Sequence, residues 1–187
     1  MNKELFFYLN NFAGRSQVFD WLVIFCAEYL AYILVAVVLA ILIFGKKTYR
    51  EKIKIFIFTG LSIFLSRIVI TETIRYFYHV SRPFVDNNVH QLIFHETSGS
   101  FPSGHAAFFF ALAMAVYLSL SKKWGWLFFT GAFIIGSTRI IAGVHWPLDI
   151  LAGAIAGKLS AFFVYYLTPT LSFKERVPKA GEVEIAK

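Results

Sequence analysis

The sequence predicts an all-α integral membrane protein, a bundle of five transmembrane helices preceded by a short N-terminal interfacial helix. Three observations lead there. The 187 residues are 58% hydrophobic with a mean hydropathy of +0.64, against roughly 45–50% apolar residues in a soluble domain. The apolar residues fall in five stretches of helix length. Clusters of cations punctuate those stretches in a regular order.

The first stretch runs from Trp21 to Phe44 and is broken only by Glu28. The second covers about Ile53 to Ile74 and contains Arg67 and Glu72. Gly104 to Leu120 forms the third, rich in Phe and Ala, and Trp124 to Thr138 the fourth. The fifth runs from Pro147 to Leu167 with Lys158 inside it. Residues 2–13 have the pattern of a short amphipathic helix in the interface. Residues 1–171 read as a single membrane domain and 172–187 as a polar cytoplasmic tail. No removable signal peptide is expected, because no basic start is followed directly by an apolar core and a small-residue cleavage site.

Orientation follows from the cations. The connection Gly45–Lys54 carries Lys46, Lys47, Arg50, Lys52 and Lys54 against Glu51. Lys122 and Lys123 lie between the third and fourth stretches, and Lys174, Arg176 and Lys179 follow the fifth. Five crossings put all three segments on one side, which is then cytoplasmic, C-terminus included. The N-terminus, Arg75–Ser103 and Arg139–His145 share the outer side. Topology thus accounts for most of the net charge of +7, and no nucleic-acid-binding motif is present. The single cysteine, Cys26, excludes an intrachain disulfide and a cysteine-rich metal site.

Three polar clusters fall on that outer side. They are Arg75 with Arg82-Pro83, then Pro102-Ser103-Gly104-His105 opening the third stretch, then Arg139, His145 and Asp149. A phosphate ester needs fixed donors for its charged oxygens, and arginine offers a planar fork suited to them. Ser103 and Gly104 stand where the chain enters a helix, so backbone N–H groups can face an anion. His145 and Asp149 are four apart, and Pro147 is a favoured first-turn residue, so the carboxylate can orient one imidazole nitrogen and leave the other for phosphorus. His105 supplies a second imidazole for the leaving oxygen.

Each signal has a bland reading. An arginine at a helix end usually snorkels to the interface, Pro-Ser-Gly is ordinary punctuation before a helix, and a His–Asp pair four apart can simply brace one. Together these fare badly, because three independent spacings must coincide in order on one face. His79, His90 and His95 lie in the outer loop without such spacing and are expected to be loop or gate residues. Phe84, Leu92, Ile93, Phe94 and Phe101 are expected to bring that loop to the interface, where it would frame a lipid tail.

The series Arg75-x6-Arg82-Pro83, Pro102-Ser103-Gly104-His105 and Arg139-x5-His145-x3-Asp149 resembles the type 2 phosphatidic acid phosphatase (PAP2) superfamily. Two positions depart from its usual pattern: Arg75 stands where lysine is commoner, and Thr138 where a serine usually precedes the third-motif arginine. The resemblance implies a six-helix core and a metal-free, cofactor-free hydrolysis. His145 would attack to form a phosphohistidine, Asp149 would orient it and His105 would protonate the leaving group. Arg75, Arg82, Ser103, Gly104 and Arg139 would bind phosphate. The stretch VHQLIFHETSGSFPSGH is most similar to the bacitracin-resistance type of undecaprenyl-diphosphatase. That implies a lipid diphosphate substrate and the bilayer as partners, with neither nucleic acid nor an obligate protein partner. A phosphatase for phosphatidylglycerol phosphate or phosphatidic acid is the alternative within the class. Outside it stand a lipid-phosphate binder or flippase, and a haloperoxidase, which the spanning helices disfavour.

Charges inside apolar stretches need partners. Glu28, Arg67 and Lys158 lie eight or nine residues inward from Asp20, Arg75 and Asp149, roughly 12–14 Å below the outer boundary. Glu28 is therefore expected to pair with Arg67, Lys158 or both.

Overall fold

The computed structural model describes residues 2–168, and these form helices joined by loops. Helix α1 spans Asn2–Asn10. Helix α2 spans Gln17–Phe44 and α3 Tyr49–Phe77, each interrupted by a π-helical segment, Phe25–Tyr29 and Phe64–Ile70 respectively. A single turn, α4, covers Pro83–Asp86. Then come α5 (Gly104–Ser119), α6 (Lys122–Ile141) and α7 (Pro147–Leu167). The expected tail, 172–187, lies outside the described residues.

Helix starts follow local chemistry. Thr48 caps α3 by accepting the N–H of Glu51, whose carboxylate accepts the N–H of Thr48 at 2.9 Å. Ser103 and Ser121 cap α5 and α6. Pro147 opens α7, where its missing N–H costs nothing.

Four helices, α2, α3, α6 and α7, are long and apolar enough to cross a membrane. The fifth apolar helix, α5, has 16 residues and measures about 24 Å, short of the roughly 30 Å hydrocarbon core. It is the central element, contacting α7 and α6 most extensively. Phe109, Leu112, Ala113 and Val116 of α5 form the main core with Phe128, Ala132 and Ile135 of α6 and Ala31, Leu34 and Val38 of α2. Gly153 of α7 lets the chains approach closely, since a Cβ there would lie 2.5 Å from the carbonyl oxygen of Ser103. Large apolar side chains such as Phe44, Phe56, Phe133, Leu151 and Leu159 are exposed around the bundle, as a lipid-facing surface requires.

Helix α1 packs one face on the bundle and leaves Leu5 and Tyr8 exposed on the other. Phe6 is fully buried, with its ring 4.8 Å from that of Trp146. The Asn10 amide donates to the carbonyls of His90 and Ile141 at 2.8 and 2.9 Å and accepts the N–H of His90 at 3.0 Å. Those bonds pin the loop ahead of α5 to the end of α6.

The lysine-rich connections meet at one end of the bundle, where Lys46, Lys47 and Lys52 surround a recess with Ser121 and Trp124. The polar clusters gather at the other end. The expected pairing of Glu28 with Arg67 or Lys158 is not what forms. Arg67 pairs with Glu72, Glu28 acts electrostatically on Arg139, and Lys158 lines a separate groove with Phe110, Trp126 and Phe133. Equal depth along the chain does not decide which way each helix turns its charged residue.

Candidate active site

The site is assembled from helix ends. Arg75 comes from the end of α3 and Arg82 from the following loop, Gly104 and His105 from the start of α5, and Arg139 from the end of α6. Gly143, at φ +81°, makes the tight turn into His145, and Asp149 sits in the first turn of α7. Only a residue tolerant of the left-handed region fits at 143, where a Cβ would also lie 2.7 Å from the carbonyl of His90.

His145 is 1% exposed and held from both sides. Its Nδ1 lies 3.3 Å from Oδ2 of Asp149. Its Nε2 lies 3.4 Å from Nη1 of Arg82. A guanidinium only donates, so Nε2 carries the lone pair and Nδ1 the proton, which it donates to Asp149. The carboxylate is itself fixed by the backbone N–H of Trp146 at 2.9 Å, with the buried Ser100 hydroxyl beside it.

Burial, followed by the positive charges of Arg139 and Arg82, holds the His145 imidazole well below its ordinary range. The same causes, with burial again first, push His95 down to about 4. Arg82 itself is lowered to about 10 by burial and by Arg75. Both imidazoles are therefore neutral at neutral pH and the cradle cationic.

The arginines differ in how they are held. Arg82, 1% exposed, donates from Nε to the carbonyl of Ser98 at 2.9 Å and from Nη1 to that of Val144 at 3.0 Å. Arg75 donates from Nη2 to the carbonyl of Pro102 at 3.0 Å. Arg139 makes one long bond, from Nη1 to the carbonyl of Ala27 at 3.4 Å. Nε of Arg75 and Nε of Arg139 are buried without a partner among the described residues. An unsatisfied buried donor costs about 1–3 kcal/mol, and a phosphate oxygen is the acceptor that suits a guanidinium.

A cavity of about 700 Å³ opens beside these groups. Its polar lining comprises Arg67, His95, Gly104, His105 and Arg139 with the acids Glu28 and Glu96, and its apolar flank includes Ala31, Tyr32, Val35, Phe108 and Phe109. The combination suits a charged head joined to a hydrocarbon chain.

The structure thus brings together the residues singled out in the sequence. Asp149, His145 and Arg82 are in direct contact, His105, Gly104 and Arg139 share one cavity, and Arg75 braces the loop that enters α5. One detail differs. The N–H of Ser103 is taken by the carbonyl of Asp149 at 3.0 Å and that of Ala106 by the Ser103 hydroxyl oxygen, so the first-turn donors left for an anion are those of Gly104 and His105.

Three residues were missed as parts of this site. His95, expected to be a loop or gate residue, has its ring 6.2 Å from that of His145. Ser100 lies beside Asp149, and Arg67 lies against Gly104. No spacing rule marks the first two. Arg67 carried a signal, an intramembrane charge, but its π-helical setting hid where it points.

The chain belongs to the PAP2 superfamily, whose sequence profile matches residues 55–173, and it is a multi-pass membrane lipid phosphatase. It is 34% identical to the bacitracin transport permease protein BcrC of Bacillus licheniformis, over 92% of this chain and 83% of that protein. To the undecaprenyl-diphosphatase BcrC of Bacillus subtilis strain 168 it is 30% identical, over 100% of this chain and 95% of the other. The crystal structure of Aquifex aeolicus LpxE matches with a TM-score of 0.70 at 30% identity, covering 87% of this chain and 93% of that one.

Proposed function

We propose that this protein hydrolyses undecaprenyl diphosphate to undecaprenyl phosphate and inorganic phosphate at the outer face of a cytoplasmic membrane, through a phosphohistidine at His145. The observation that carries the reading is the neutral, buried His145, with Nδ1 on Asp149 and its Nε2 lone pair beside Arg82. An anion binder needs the arginines but not an oriented nucleophile.

In this scheme the terminal phosphoryl group lies among Arg75, Arg82, Arg139 and the Ser103–Gly104 helix entry. Nε2 of His145 attacks phosphorus as the bond to the bridging oxygen breaks, and that oxygen keeps the electron pair. His105, protonated when the anionic substrate offsets the surrounding guanidiniums, donates its proton to it. Water then attacks the phosphohistidine, His105 takes the proton, and inorganic phosphate departs with His145 restored. No step calls on a metal or cofactor. The names of the relatives that cover nearly the whole chain support the undecaprenyl substrate, and the lysine-rich end opposite the site supports the orientation.

The test is phosphate release by purified protein in detergent from a panel of undecaprenyl diphosphate, phosphatidylglycerol phosphate and phosphatidic acid, with and without EDTA. Preferred release from the diphosphate, insensitive to EDTA, is expected. Preference for a glycerophospholipid would replace the substrate, and strict dependence on a divalent ion would end the mechanism. One relative is named a transport permease, so H145A separates the remaining reading: an enzyme loses turnover, whereas a binder or flippase keeps its ligand. Cleavage of a water-soluble short-chain diphosphate by intact cells tests the outer orientation.

A further inference from the structure

Arg67 has no part in the scheme above, yet it lines the same cavity as His105 and Arg139. A Cβ built on Gly104 would lie 2.6 Å from Nε of Arg67 and 3.0 Å from its Cζ. The guanidinium therefore lies against the first residue of α5, in the cavity that His105 also lines and near the free N–H groups of that helix start. It stands inside the π-helical segment Phe64–Ile70, and such segments recur at functional sites because the wider turn re-aims side chains.

The charge around it is unbalanced. Glu72 pairs with Arg67 and, at 3.5 Å, with Arg75, so one carboxylate serves two guanidiniums and a positive charge is left over. Glu72 is also 48% exposed, which screens its side of the pair. Of the two acids that also line the cavity, Glu28 acts on Arg139 and Glu96 on Arg82.

In-line displacement puts the nucleophile and the leaving oxygen on opposite sides of phosphorus. With His145 attacking and His105 protonating the leaving oxygen, the leaving group emerges into the cavity that His105 and Arg67 both line. A monophosphate ester releases an alcohol there, neutral once protonated. A diphosphate releases a lipid phosphate that stays anionic. A fixed guanidinium at that place stabilises the second and has nothing to hold in the first.

We propose that Arg67 binds the lipid-proximal phosphate of a diphosphate substrate and so sets the preference for diphosphates over monophosphates. This rests on the diphosphate reading given under the proposed function. The lipid tail then continues along Ala31, Tyr32, Val35 and Phe108, the apolar flank of the same cavity.

The experiment compares kcat/KM for farnesyl diphosphate and farnesyl monophosphate in detergent, for wild type, R67Q and R67K. A charge-assisted contact contributes about 1.5–3 kcal/mol. The diphosphate-to-monophosphate ratio should therefore fall by about 10- to 100-fold in R67Q and recover in part in R67K. As a readout apart from turnover, inhibition by inorganic pyrophosphate relative to orthophosphate should weaken in the same order. Equal losses on both substrates, or an unchanged ratio, would overturn the assignment while leaving the function intact. A wild-type protein that cleaves only the monophosphate would sink the substrate reading first and this inference with it. If R67Q does not purify folded, R67K carries the same comparison, because it keeps the charge and loses the fork.

Discussion

The carboxylate of Asp149 lies 3.3 Å from Nδ1 of His145 and at 2.9 Å also accepts the backbone N–H of Trp146. One side chain thus sets both the start of α7 and the tautomer of the imidazole. Each residue is 1% exposed, so water does not compete for these bonds.

D149N should separate those roles. An amide can still bond the N–H of Trp146, but it can present its own N–H to Nδ1 and favour the wrong tautomer. Turnover should drop by about 10²–10⁴-fold, the scale seen when the orienting carboxylate of a hydrolase is replaced. The thermal midpoint in detergent should change little. A loss of folding in step with activity would show that the carboxylate is only a cap.

The two buried arginines predict different phenotypes. Arg82 joins the loop ahead of α5 to the α6–α7 turn through the carbonyls of Ser98 and Val144, and lysine cannot reproduce that fork. R82K should lower both the unfolding temperature and kcat. Arg139 makes one 3.4 Å bond and leaves Nε unpartnered. R139K should mainly weaken inhibition by orthophosphate, with a smaller thermal shift. Equal thermal losses would contradict this division.

Helix packing gives a paired test at two glycines. A Cβ at Gly153 would strike the Ser103 carbonyl at 2.5 Å and the Ala106 Cβ at 2.9 Å. G153A should push α7 from the start of α5, costing about 1–3 kcal/mol and reducing turnover. At Gly60 nothing lies within 4 Å. G60A should be neutral or stabilising by up to about 1 kcal/mol. Thermal unfolding in the same detergent distinguishes them.

The histidines predict a pH dependence with a definite sign. Burial and the cationic cradle depress His145, and His95 to about 4, from an ordinary 6.5. Between those values the unfolded chain takes protons that the folded protein refuses. Stability from this source is complete above about pH 6.5 and declines as the pH falls toward 4. ¹⁵N-histidine spectra in micelles should show both rings neutral at pH 6, where an unperturbed imidazole is mostly charged. A ring titrating at or above 6.5 assigned to His145 would contradict the geometry.

Much of this protein was legible because much of it is local. The apolar run Pro147–Leu167 coincides with α7, since lipid demands a helix wherever apolar residues persist. The His145–Asp149 contact follows from a spacing of four across a helix start. Helices α2, α3 and α6 run past their apolar runs to Gln17, Tyr49, Phe77, Lys122 and Ile141, because caps and loop contacts, not hydropathy, end a helix.

What the sequence determined by itself was the set of apolar helices, the helix-start chemistry and the motif residues, all governed by neighbours within a turn or two. The tertiary structure alone decided that His95 stands against His145, that Arg67 lies on Gly104, that Glu28 answers Arg139 and that Asn10 ties down the loop ahead of α5. Those relationships depend on how each helix is rotated about its axis. Here the π-helical turns at Phe25–Tyr29 and Phe64–Ile70 break the 3.6-residue register on which any reading of facing side chains relies.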